Sequence, residues 1–131
     1  MKEILDYLKE ARTFYIATVE GDQPRVRPFG AVGEFEGKLY IVTNNTKAVF
    51  KQMIANPKVE ISAMKTDGSW IRLAGEVVND ERREAKAAML EQNPSLTRMY
   101  SLDDGIFAAL YFKNGTATIS SFTKPPVTYE I

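Results

Sequence analysis

Thr43-Asn44-Asn45-Thr46-Lys47 sets hydroxyls, amides and an ammonium between an apolar strand-like run and an amphipathic helix-like one. With the N–H groups that the first turn of a helix leaves unpaired, this is the chemistry that binds an anionic phosphate. Upstream, Arg25-Val26-Arg27-Pro28 presents two guanidiniums at strand spacing, on one face beside Phe29. Adjacent strands would bring both clusters to one ligand. Each cluster also has a plainer reading. Arg25 and Arg27 fit exposed strand residues paired with glutamates. Asn45 or Thr46 fits a helix cap, with Lys47 in solvent. The segment lacks P-loop glycines and the chain has no GxGxxG, which argues against nucleotide sites of those kinds.

Trp70, the only tryptophan, opens the run Ser69-Trp70-Ile71-Arg72-Leu73-Ala74-Gly75. A lone Trp on a strand usually packs in a core or an interface, yet its indole also borders flat heteroaromatic rings well. Arg72 shares its face. The chain has no Cys and no His. That removes thiol chemistry, the usual general base and the usual zinc and haem ligands. No Ser-His-Asp triad can be built, and the acidic residues show no metal-binding spacing. Redox chemistry would therefore fall to a bound organic cofactor. Glu81-Arg82-Arg83-Glu84 reads as a solvated helix start without chemistry.

The elements that must position these residues follow from pattern. The 131 residues are 44% hydrophobic and 26% charged, with 17 basic and 17 acidic side chains. This is the profile of one soluble globular domain covering 1–131, with no global field toward nucleic acid or membrane. No apolar run approaches the ~20 residues that cross a bilayer, and the N-terminal charges do not suit a signal peptide. A cytoplasmic location is expected.

Helical spacing marks residues 2–11, with Ile4, Leu5, Leu8 and Ala11 on one side. Phe14–Val19 and a long strand from Arg25 to Phe35 flank a turn at Glu20-Gly21-Asp22, with a bend expected at Pro28, Gly30 and Gly33. Leu39–Thr43 is a strand and Thr46–Ala55 a helix stopped by Asn56-Pro57. Val59–Met64 and Ser69–Val78 form a hairpin. Asp80 is expected to cap a second helix through Gln92, closed by Asn93-Pro94, with a further turn at Leu96–Tyr100. Ile106–Phe112 and Thr116–Phe122 are expected to form a last hairpin through Lys113-Asn114-Gly115, before a Pro125-Pro126 tail. The fold class is mainly β (α+β): a split antiparallel barrel of six to seven strands with two to three short helices.

The order Arg-Val-Arg-Pro-Phe-Gly, Leu-Tyr-Ile-Val-Thr-Asn-Asn-Thr-Lys, Asn56-Pro57-Lys58-Val59 and Trp70-Ile71-Arg72-Leu73-Ala74-Gly75 resembles the pyridoxamine 5′-phosphate oxidase-like family of FMN-binding split barrels, in its short bacterial form. The resemblance spans nearly the whole chain. It implies a homodimer with FMN at the subunit interface. By position, it implies that Arg25 and Lys47 hold the FMN phosphate, helped by Thr46 and Asn45. Val26, Arg27 and Pro28 would run along the ring and ribityl chain, Thr43 would meet the polar ring edge, and Trp70 would approach from the partner. Departures are informative too. The vitamin B6 oxidases bind substrate with a C-terminal Arg and His, and residues 124–131 hold neither. Nitroimidazole-resistance and haem-degrading relatives are marked by a His that is missing here.

These readings point to an FMN-dependent oxidoreductase of a small organic substrate other than pyridoxamine phosphate, with no catalytic side chain singled out and no metal. The alternatives are a non-catalytic flavin carrier or stress-related sensor, or a binder of deazaflavin F420. An OB-like barrel binding single-stranded nucleic acid through Arg25, Arg27, Phe29 and Trp70 is disfavoured by the zero net charge.

Overall fold

The computed structural model describes residues 1–131. Its first helix, α1 (Lys2–Ala11), buries Ile4, Leu5, Tyr7 and Leu8 along one side. It stops at Arg12, whose φ of 71° and ψ of −64° reverse the chain, with the Thr13 N–H donating to the Ala11 carbonyl at 2.9 Å. Strands β1 (Phe14–Glu20) and β2 (Gln23–Phe29) form a hairpin. β3 (Val32–Phe35) and β4 (Lys38–Asn44) form another through Glu36-Gly37, both at positive φ, as a tight right-twisting turn requires. Helix α2 (Ala48–Ala55), β5 (Lys58–Met64), β6 (Trp70–Asp80) and α3 (Arg83–Gln92) follow. A 3-10 turn (Pro94–Arg98), β7 (Phe107–Ser120) and β8 (Val127–Glu130) complete the chain.

All eight strands belong to one antiparallel sheet in the order β2-β1-β5-β6-β7-β4-β3. One edge of β7 is shared: β4 pairs with Phe107–Tyr111, and β8 with Thr116–Ile119. That division makes the barrel split. Its main core gathers Phe14, Ile16, Ile41, Ile61, Ile71 and Leu73 under α1 and α2. A smaller core of Tyr40, Val42, Phe107 and Ala109 sits under Ala85 and Met89 of α3.

Four expectations are corrected. The run from Arg25 to Phe35 is two strands broken at Gly30-Ala31, because β2 pairs with β1 while β3 pairs with β4. Asn114-Gly115 makes no turn: β7 runs straight through it, since the long β6 pairs along nearly its whole length. The register shifts where Glu76 opposes Asn114 but Val77 opposes Phe112, leaving Lys113 as a bulge. Gly75 and Gly115 face each other there, and a Cβ on Gly75 would run into the Asn114 carbonyl. The segment after Pro125-Pro126 is an eighth strand, not a tail. Asp80 ends β6 and does not occupy the cap position of α3, which belongs to Arg82.

Candidate functional site

A cleft of about 400 Å³ opens between the end of β2, the end of β4, the start of α2 and the 3-10 turn. That volume lies in the range of small-molecule sites. Arg27, Pro28, Thr43 and Lys47 line it, facing an apolar wall of Phe29, Val42, Val49, Leu96, Met99 and Tyr100. Two of the basic residues singled out in the sequence thus converge across one space.

Arg27 is held from behind. Its Nη1 donates to Thr18 Oγ1 at 2.7 Å and to the Ile16 carbonyl at 3.3 Å, and its Nη2 donates to Gln52 Oε1 at 2.6 Å. Thr18 in turn donates to Gln52 Oε1 at 2.6 Å. Thr18 and Gln52 are buried. Burial lowers the pKa of Arg27, with a smaller contribution from the neighbouring Arg25 charge, yet a guanidinium stays protonated. Sequence reasoning missed Thr18 and Gln52. Their signal was present: Thr18 continues the inward alternation Phe14, Ile16, and Gln52 lies on the helix side of Val49 and Met53. A polar residue at an apolar position needs a buried partner.

The start of α2 meets the cleft at Lys47. The helix begins at Ala48, later than expected, and neither Asn45 nor Thr46 caps it; Lys47 holds the cap position without a side-chain bond. Asn44 organises the approach instead, its Oδ1 accepting from the Thr46 N–H at 2.8 Å and the Thr46 hydroxyl at 2.5 Å. Asn45 is turned to the Gly105 carbonyl at 2.9 Å. The Lys47 ammonium makes no ion pair in the protein, and the first N–H groups of the helix remain open beside it.

The other expected residues lie elsewhere. Arg25 follows its plainer reading: it is exposed, outside the cleft lining, and both Nε and Nη2 donate to Glu20 Oε1, at 3.2 and 2.9 Å. Val26 and Trp70 sit on the opposite, outer face of the sheet. Trp70 packs on Phe122, with ring centroids 5.2 Å apart. Arg72, beside it, pairs with Glu60 at 3.1 Å. Tyr15, Val26, Met64 and Phe122 are all exposed on or beside this face, and a groove of about 480 Å³ floored by Ala17, Ala74 and Gly75 crosses it.

Behind the smaller core, Glu81-Arg82 proves more than a solvated start. Asp80 is buried and accepts from the Tyr40 hydroxyl at 2.6 Å and from Arg82 Nη2 at 3.0 Å, while Arg82 also reaches Glu36 at 2.6 Å. Burial alone would raise the Asp80 pKa, but the hydrogen bonds from Arg82 and Tyr40 outweigh it and hold the carboxyl at about 2. This cluster fixes β4, and with it Thr43, against the start of α3.

Fold and cleft together define a split-barrel domain whose cleft combines basic residues with an apolar wall. The model of the pyridoxamine 5′-phosphate oxidase family matches residues 1–100, and the chain belongs to that family. It is similar to a NimC/NimA family protein from Clostridium acetobutylicum: 65% identity, 100% of this chain and 92% of that one covered, TM-score 0.99. More distant likenesses show the fold alone. A pyridoxamine 5′-phosphate oxidase-related, FMN-binding protein from Nostoc punctiforme is 15% identical over 99% of this chain and 95% of its own, with TM-score 0.64. A haem-binding protein from Mycobacterium smegmatis is 16% identical over 93% of this chain and 57% of its own, with TM-score 0.72. No curated protein matches the chain. No helix is long and apolar enough to cross a membrane.

Proposed function

We propose that the chain is an FMN-binding flavoprotein acting as an oxidoreductase on a small organic substrate other than pyridoxamine phosphate. The observation that carries this reading is the convergence of Arg27, Thr43 and the unpaired Lys47 at the open N-terminus of α2, opposite an apolar wall. A phosphate suits the cationic end, and a flat ring suits the wall formed with Leu96, Met99 and Tyr100. The residues present therefore fit the group. FMN, when bound, would supply the hydride and electron chemistry. The chain's own contribution is to anchor the phosphate through Lys47 and the helix N–H groups, to present a fixed guanidinium at Arg27, and to exclude water along the apolar wall. The fold shared with a protein described as FMN binding supports this assignment.

A homodimer belongs to the same proposal. The outer face leaves Tyr15, Val26, Met64 and Phe122 exposed, large apolar side chains that a second copy would cover.

The absorption spectrum of the purified protein, before and after FMN incubation and desalting, tests the cofactor. Retained flavin bands are expected. A haem band in their place, or no retained chromophore, refutes the reading. Lys47→Ala is expected to weaken FMN binding by roughly ten- to a hundredfold, the scale of one charged hydrogen bond, while leaving riboflavin binding nearly unchanged. Equal losses for both flavins would remove Lys47 from the phosphate site.

A further inference from the structure

A second recess, of about 360 Å³, lies at the far end of the β5–β6 hairpin, and its lining shares no residue with the cleft. Three segments wall it: Tyr7 from α1, Lys65, Asp67 and Ser69 from the β5–β6 turn, and the Ser121–Lys124 stretch between β7 and β8. Its hydrogen bonds have one consistent direction. Asp67 Oδ1 accepts from both the N–H and the hydroxyl of Ser69, at 2.8 and 2.6 Å. With its proton committed there, the Ser69 oxygen must accept from the Tyr7 hydroxyl at 2.6 Å. Tyr7 and Ser69 are both buried, so this relay is a fixed wall and not a mobile surface group. It also consumes the acceptor capacity of Asp67 Oδ1.

What remains toward the recess is mostly donors. Lys65 sits 4.6 Å over the Tyr7 ring, gives one bond to the exposed Glu10 at 3.0 Å and lies 3.9 Å from Asp67 Oδ2, with N–H groups left for a ligand. Lys124 makes no ion pair. Ser121 Oγ accepts from the N–H groups of Thr123 and Lys124, at 3.4 and 3.1 Å, which leaves its proton to donate. Lys65 is thus balanced by Glu10 and Asp67, and Lys124 is the one ammonium of the recess without a carboxylate partner. The opposite side, Ile119, Pro125 and Val127, is apolar. A ligand matched to this lining accepts hydrogen bonds at one end, carries one negative charge and has a hydrocarbon body.

We propose that this recess is a second binding site, for a small organic carboxylate held between Lys65 and Lys124 with its body against Ile119 and Val127. A carboxylate fits better than a phosphate, because a single ammonium, that of Lys124, lacks a partner and the remaining wall is apolar.

Amide-resonance titration of the intact protein tests this with cyclohexanecarboxylate, its neutral analogue cyclohexylmethanol and inorganic phosphate. The carboxylate is expected to give saturable shifts at Ser69 and Ser121–Lys124, and neither other probe to do so. Lys124→Ala is expected to weaken that binding about tenfold, as loss of one charged hydrogen bond does, with resonances elsewhere unmoved and FMN retention unchanged. Lys113→Ala, on the β7 bulge, should leave it intact. No saturable shift, equal binding of the alcohol, or an unaltered affinity in Lys124→Ala would overturn the proposal. Saturation by phosphate alone would overturn its ligand class.

Discussion

Asp80→Asn tests the buried cluster that ties β4 to α3. The Asp80 carboxylate accepts from the Tyr40 hydroxyl and from the Arg82 backbone N–H, Nε and Nη2, at 2.6 to 3.1 Å. Its pKa falls from an ordinary 3.8 to about 2, a shift that corresponds to about 2 kcal/mol of stability. Because the folded pKa is the lower one, this contribution is complete above the unfolded pKa. It is lost as pH falls from about 5 toward 2. An amide at this position also turns its NH₂ toward Arg82 donors, so the total loss at pH 7 should lie between about 2 and 4 kcal/mol. With a urea slope of about 2 kcal/mol per molar for a domain of this size, the midpoint should drop by roughly 1 to 2 M. Urea unfolding of both proteins from pH 7 to pH 2.5 checks this. The gap between wild type and variant should narrow as the pH falls, since wild-type Asp80 protonates and the variant has nothing there to titrate. A loss below about 0.5 kcal/mol, or a gap constant across the whole range, would refute the reasoning.

Three further outcomes follow from local geometry. Arg12→Gly should raise the melting temperature by about 3 °C, because φ 71° and ψ −64° form a strained turn that glycine adopts freely; a lowered value would count against strain there. Gly75→Ala should cost at least about 2 kcal/mol, since the new methyl meets the Asn114 backbone carbonyl, whereas Gly33→Ala should cost less because it meets the movable end of Met89. Comparable losses in urea melts would contradict this. Phe122→Asp should convert the proposed dimer to monomer in sedimentation equilibrium, and an unchanged dimer mass would place the interface elsewhere.

The helices and most strands were legible because one principle dominated each. Ile4, Leu5 and Leu8 mark α1 by periodicity, and Leu39–Thr43 marks β4 by its β-branched and apolar run. The failures arose where tertiary pairing overrode a local signal. Asn114-Gly115 is a strong turn pair, but a bulge in one continuous strand also accommodates it when a long partner strand lies alongside. Pro125-Pro126 hid β8, whose pairing to Thr116–Ile119 depends on where β4 leaves β7. Of the residues singled out by type, Arg27, Thr43 and Lys47 line one cleft. Their neighbours Arg25 and Thr46 have the same chemistry, and only the local partners Glu20 and Asn44 divert them. The alternation of β1 and the buried side of α2 mark Thr18 and Gln52 as inward-facing polar residues. They do not show that the two pair with each other and with Arg27, because a hydrogen bond between a strand and a helix follows no spacing rule.

The two sides of the cleft belong to different parts of the sheet. Thr43 stands on β4, buried from Leu39 to Thr43 and paired on both edges, beside the β7 segment Phe107–Leu110 that is buried on both faces. Arg27 stands on β2, an edge strand with one neighbour and mostly exposed side chains. In native-state hydrogen exchange, the amides of β4 and β7 should therefore open only with global unfolding, and those of β2 through local fluctuations of far lower free energy. The proposed ligand would then enter and leave past β2, where the Arg27–Thr18–Gln52 bonds are the contacts that must open first.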